Sequence, residues 1–236
     1  MEKLEKTITA LTIGIRYQKS FRVADITGEI IDTILLDKNS PFDHKLFPRI
    51  EVNSAWEQTL YNPETFEYLR INTDDIILSL AVDDNFSQKF NFLHSKVIPF
   101  YEGTLFTRHD INNIIRVGII YSHKLDRSQE FSNKISAIAE NKINDPENIS
   151  ISFSKKHVTS EALIRKNVND YKNTIFSFRE MKENLICDLD YQYFYDPAIE
   201  DLRDGKLKDI ISQSNTYRTD NYYEWLKNYV KEQKSK

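Results

Sequence analysis

The chain is poor in cysteine, glycine and proline: one Cys, five Gly and six Pro in 236 residues. A single Cys187 excludes an intramolecular disulfide and a thiolate-built zinc site, and its natural setting is a reducing compartment. So little Gly and Pro excludes collagen-like and low-complexity segments and argues against long flexible linkers. No stretch approaches about 18 uninterrupted apolar residues, so no membrane-spanning helix is expected. The opening MEKLEKTITA lacks a basic segment followed by an apolar run, so it is not read as a signal peptide. The expectation is a cytosolic protein without membrane contact.

Nucleotide and hydrolase signatures are missing too. There is no G-x-x-x-x-G-K-[ST], no G-x-G-x-x-G and no G-x-S-x-G. His44, His94, His109, His123 and His157 are scattered, with no H-x-x-x-H or H-E-x-x-H spacing, so no zinc site is expected. Excess positive charge is also lacking, since the formal net charge is -4. Residues 1–108 carry 12 Lys and Arg against 16 Asp and Glu, and the remainder 20 against 20. Such a balance disfavours nucleic acid as a partner.

What the chain does have is aromatic residues: 14 Phe, 13 Tyr and two Trp. These bury large areas and supply a sizeable core without staples. TITALTIGIRY alternates as a strand, and FRVADITGEIIDTILLD places Val23, Ile26, Ile30 and Ile34 at helical spacing. RIEVNSAWEQTL, FEYLRIN and IILSLAV read as three strands. A helical stripe runs from Phe86 to Tyr101, with Pro99 predicting a kink or break near Ile98. RVGIIYSHKL opens a second round as a strand. SQEFSNKISAIAEN reads as a helix; ISISFSK, VTSEALIRKNV, TIFSFRE and LICDLDYQYFY as further strands; NDYKN as a turn. AIEDLRDGKLKDIISQS and DNYYEWLKNYVKE close the chain as helices.

TIGIRY (12–17) thus recurs as RVGIIY (116–121), each opening a run of strand, helix, several strands and a long helix. The expected architecture is α+β: a duplicated β-α-β(3–4)-α unit, residues 1–108 and 109–236, forming curved antiparallel sheet under helices. The TATA-binding protein and helix-grip folds use related layouts, an analogy of shape only. The glycines of the repeat, Gly14 and Gly118, are expected to let a helix approach closely.

Ile13-Gly14-Ile15-Arg16, Arg116 to Tyr121, and Asp188-Leu189-Asp190 on an apolar strand before a terminal amphipathic helix resemble the elements of a sporadically distributed bacterial family of uncharacterised cytosolic proteins. The resemblance spans the chain in order of elements. It implies no defined activity, and the family's patchy distribution implies accessory roles in mobile-element, toxin–antitoxin or anti-phage systems.

Asp188 and Asp190 lie two apart on a strand, so both carboxylates point to one face. That pattern can hold Mg²⁺ for phosphoryl or nucleotidyl transfer. It can equally be the solvent side of a strand packed by Ile186, Leu189 and Tyr191. Cys187 reads as a buried small hydrophobe. Lys155, Lys156 and His157, with Arg165 and Lys166 on the next strand, could form a basic patch for a phosphate or a solvated sheet face. On the last helix Tyr222, Trp225, Leu226, Tyr229 and Val230 form the buried stripe, which leaves Tyr217 and Tyr223 free to meet a protein. The composite expectation is binding rather than catalysis, with no cofactor. The partner is another protein, such as an effector encoded nearby; self-association stays open. An Mg²⁺-dependent nucleotide-handling enzyme using Asp188 and Asp190 is the alternative.

Overall fold

A computed structural model of the chain describes residues 2–54, 56–83, 85–126, 150–158, 168–181 and 184–230. Its elements run α1 (Glu2–Glu5), β1 (Ile8–Tyr17), α2 (Phe21–Leu36), β2 (Arg49–Ser54), β3 (Glu57–Tyr61), β4 (Tyr68–Asn72), β5 (Asp75–Ala81), α3 (Phe86–Phe92) and α4 (Ile98–Tyr101). They continue with β6 (Ile114–Asp126), β7 (Ser150–Val158), β8 (Tyr171–Met181), β9 (Asn184–Ile199), α5 (Lys206–Tyr217) and α6 (Tyr223–Val230).

The strands form one antiparallel sheet in the order β2-β3-β4-β5-β1-β6-β9-β8-β7. The meander β2–β5 extends from β1 on one side, and β7–β9 extend from β6 on the other. β1 and β6 pair at the centre, so the segments before and after residue 108 share a single sheet. Gly14 faces Gly118 there, and the ladder reads alike in both directions: Ile13 faces Ile119 as Ile15 faces Val117, and Thr12 faces Ile120 as Arg16 faces Arg116.

Alternation along each strand sorts the two faces. Leu11, Ile13, Ile15 and Tyr17 of β1, Val117, Ile119 and Tyr121 of β6, and Cys187, Leu189 and Tyr191 of β9 are all at most 4% exposed. This face carries the helices. Tyr121 bonds Ser214 of α5 at 2.7 Å, Phe86 of α3 packs on Tyr121, and Trp225 of α6 packs on Phe176 and Phe178. Each fully buried Leu, Ile or Phe contributes about 1.5–3 kcal/mol by leaving water. The opposite face presents Thr12, Gly14 and Arg16, Arg116 and Ile120, and Asp188 and Asp190; all keep some contact with solvent.

Several sequence expectations change. RIEVNSAWEQTL is a hairpin of β2 and β3 and not one strand; Ile50, Val52 and Trp56 are each at least half exposed, so their alternation does not report a core face. Pro99 breaks nothing. A π-helical turn, Leu93–Val97, precedes it, the Ile98 N–H bonds the Leu93 carbonyl, and Pro99 falls in the first turn of α4. There its missing N–H costs no α-type bond. The helical path then continues through a second π segment, Glu102–Arg108. Tyr171 to Asn173 begin β8 instead of forming a turn. α5 starts only at Lys206, after Gly205 at φ 79°, while Ala198 and Ile199 still belong to β9. Gly14 and Gly118 lie on the face away from the helices, so close helix approach does not explain them. A Cβ would sit 3.6 Å from Ile77 Cγ1 at Gly14 and 3.8 Å from Asp190 Oδ1 at Gly118, both ordinary contacts. The helix expected at SQEFSNKISAIAEN and most of the strand expected at VTSEALIRKNV lie outside the described residues.

Candidate functional site

Asp188 and Asp190 do share a face, the one without helices. Asp188 Oδ2 accepts from Arg179 at 3.1 Å and from Ser177 Oγ at 3.3 Å, while its Oδ1 is buried without a hydrogen bond. Asp190 accepts from Gln192 Nε2 at 2.6 Å, and burial raises its carboxyl above the usual range. A metal ligand should be readily ionised. Here one carboxylate is already neutralised by an arginine and the other resists ionisation. Among the described residues no three His, Cys, Asp or Glu side chains gather in an arrangement that could hold a metal.

Two histidines, His109 and His123, are buried, His94 and His157 are half-buried, and His44 is exposed. His123 is fully buried, its Nδ1 is 2.9 Å from Thr7 Oγ1, and burial followed by the charge of Arg218 pulls its pKa down to about 3. His109 contacts Thr33 at 3.2 Å and His94 contacts Ser212 at 3.2 Å; both are lowered chiefly by burial. Cys187 is fully buried, and burial with the neighbouring Asp188 pushes its thiol far up, which leaves it unreactive at neutral pH.

The tyrosines expected at the surface are placed otherwise. Tyr223 is fully buried: its ring meets His123 edge-on, and its hydroxyl accepts from the buried Arg218. The π turn Arg218–Tyr222 between α5 and α6 brings Tyr222 and Tyr223 both against the sheet. Tyr217 is half-buried, with its ring 5.7 Å from that of Tyr191 and 6.3 Å from His157. The expected outward pair therefore does not form a surface. Of the expected basic patch, Lys156 pairs in register with Asn173 on the open face, whereas Lys155 pairs with Thr174, which faces the helices. Arg165 and Lys166 lie outside the described residues.

A different cluster stands at the end of the open face where β1 finishes and β6 begins. Arg16 and Arg116 are directly opposed across the ladder, an arrangement that like charges disfavour. Arg16 is held by Asp74 at 3.0 Å. Arg116 makes no ion pair among the described residues; its guanidinium lies 5.7 Å from the ring centroid of Phe194. Phe194 stacks on Tyr171 at 4.5 Å and 9°, and Lys156 Nζ sits 3.9 Å over Tyr171. The row Lys156, Tyr171, Phe194, Arg116, Arg16 thus crosses five adjacent strands. It borders a cleft of about 370 Å³ lined by Arg16, Arg116, Tyr171, Phe194, Tyr195 and Asp196. A larger hollow of about 530 Å³ beside α3 holds Lys89, but that cation is bound by buried Glu67 at 2.7 Å.

Sequence reasoning missed this cluster. The repeat was aligned glycine on glycine, which sets Arg16 two places after its glycine and Arg116 two places before. Only antiparallel pairing brings +2 opposite -2. No protein-family model matches the chain, and no curated protein matches it significantly.

Proposed function

We propose that this protein is a non-enzymatic binding component whose working surface is the open face of its sheet, and that its partner is another protein. The observation that carries this reading is the one-sided covering of the central strands. Helices fill one face, while the other offers Ile77, Ile120 and Ile175 among Thr, Ser and charged side chains. Such a mixture of apolar and polar groups matches the make-up of non-obligate protein interfaces. The reading agrees with the burial of His123 and Cys187 and with the pairing of Asp188 to Arg179. The resemblance to a patchily distributed bacterial family supports an accessory role in anti-phage defence or a toxin–antitoxin pair, with the partner encoded nearby.

A related proposal concerns origin. The two halves are copies of one β-α-β(3–4)-α unit related by a pseudo-twofold axis between Gly14 and Gly118. Support comes from the repeat itself and from the direct pairing of its two glycines, Gly14 opposite Gly118.

The test of function is co-expression with the products of adjacent genes, followed by size-exclusion chromatography. Wild type should form a stable complex. Ile120→Glu, which changes the open face, should lose it with little change in melting temperature, because surface substitutions usually cost less than about 0.5 kcal/mol. A complex that survives this change would remove the open face from consideration.

A further inference from the structure

The cleft at Arg16 and Arg116 adjoins the paired glycines on the same face, and neither feature is required by packing. Arg116 is half-buried yet donates no side-chain hydrogen bond to a described residue; its guanidinium lies against the ring of Phe194. An arginine carries five donors in a planar fork suited to phosphate oxygens. No atom of Arg116 is buried without a partner, so water reaches the fork, and a bound anion would take that water's place with charge-assisted bonds. Charge around the cleft is close to balanced, with Arg16, Arg116 and Lys156 against Asp74, Asp196 and Asp190, so the fit to an anion rests on the fork of Arg116, unpaired among the described residues. The volume of about 370 Å³ lies within the range of small-molecule sites, about 300–1,000 Å³.

The ligand is more than a bare anion. One step along the face, Gly14 and Gly118 leave a flat floor between Ile77 and the side chains of Asp190 and Gln192. Alanine would meet no clash there, so the protein's own atoms do not demand glycine. Close approach by a ligand is one of the uses of glycine inside a strand. A planar ring fits such a floor, beside the Asp190 and Gln192 side chains that bond each other at its edge.

We propose that cleft and floor together bind a nucleoside monophosphate, with the phosphate between Arg16 and Arg116 and the base over Gly14 and Gly118. This rests on the reading that the open face is the binding surface, and it adds a small-molecule ligand to it.

Calorimetric titration of the full chain with the four ribonucleoside 5′-monophosphates, with inorganic phosphate and with a polyglutamate peptide tests it. At least one nucleotide should bind saturably and at least tenfold more tightly than inorganic phosphate. Arg116→Gln should weaken that nucleotide at least tenfold, and weakening by added NaCl should accompany binding. Gly118→Val, which fills the floor, should weaken the nucleotide equally while leaving the response to inorganic phosphate unchanged. Absence of saturable nucleotide binding, equal binding of nucleotide and inorganic phosphate, or an unaltered Arg116→Gln variant would overturn the proposal. So would tight binding of polyglutamate alone, which would assign the cleft to an acidic protein segment. Failure here with Ile120→Glu still abolishing the protein complex would sink the nucleotide site and leave the open face standing; loss of both would sink both.

Discussion

His123 shows how far a side chain departs from its sequence-level reading. A histidine in RVGIIYSHKL looks like a strand residue near a polar end. In the fold it is sealed under Tyr222 and Tyr223, with Nε2 buried and unbonded. Its folded pKa of about 3 lies below the ordinary histidine value of 6.5, so the fold holds it neutral. The unfolded chain binds a proton there below pH 6.5, and the folded one does not until about pH 3. This contribution is therefore fully present above the unfolded value and is lost as pH falls toward the folded one, by up to about 1.4 kcal/mol per pH unit. Asp190 works in the opposite sense, because its raised pKa favours the fold when protonated. Urea midpoints measured from pH 7 to pH 4.5 should fall less steeply for His123→Phe than for wild type. Equal slopes would show that His123 is not held neutral.

Among the elements, the π segments decide what the sequence conceals. Phe86 to Arg108 and Lys206 to Val230 each run as one helical path with π turns inside it. Apolar spacing located the stripe from Phe86 to Tyr101 and that of Tyr222, Trp225 and Leu226, all of which pack on the core, but it misplaced Tyr223. One extra residue in the π turn Arg218–Tyr222 rotates the side chains after it, and Tyr223 faces inward. Tyr223 also completes the surroundings of Arg218, a guanidinium 1% exposed, 4.2 Å from the Phe86 ring and 3.4 Å from Glu5 Oε1. Removing that ring opens a void beside a buried charge. Tyr223→Ala should therefore cost about 3–5 kcal/mol, in the range of large aromatic deletions in cores. A surface tyrosine would cost below about 0.5 kcal/mol. Chemical denaturation separates the two values directly.

For the whole molecule, the α+β class, the antiparallel sheet and the strands β1, β6 and β9 were legible because period-two alternation survives wherever one face is buried. IRVGIIY and CDLDYQY show it plainly. The hairpin β2–β3 was not legible, since its apolar residues face solvent. The arginine cleft was hidden for a different reason. It is assembled from β1, β6, β8 and β9, and its pairs exist only through cross-strand register. Asp188 and Asp190 stood out because they are neighbours in sequence, yet Arg179 and Gln192 occupy them. No helix among the described residues is long and apolar enough to cross a membrane.

The central claim is that the open face does the binding, and isoleucine methyl spectra read it most directly. Ile77, Ile120 and Ile175 lie on that face; Ile13, Ile15 and Ile119 lie under the helices. On addition of the proposed partner, a protein encoded by an adjacent gene, the first three methyl signals should shift or broaden while the second three hold their positions. Binding that leaves Ile77, Ile120 and Ile175 unchanged would contradict the account.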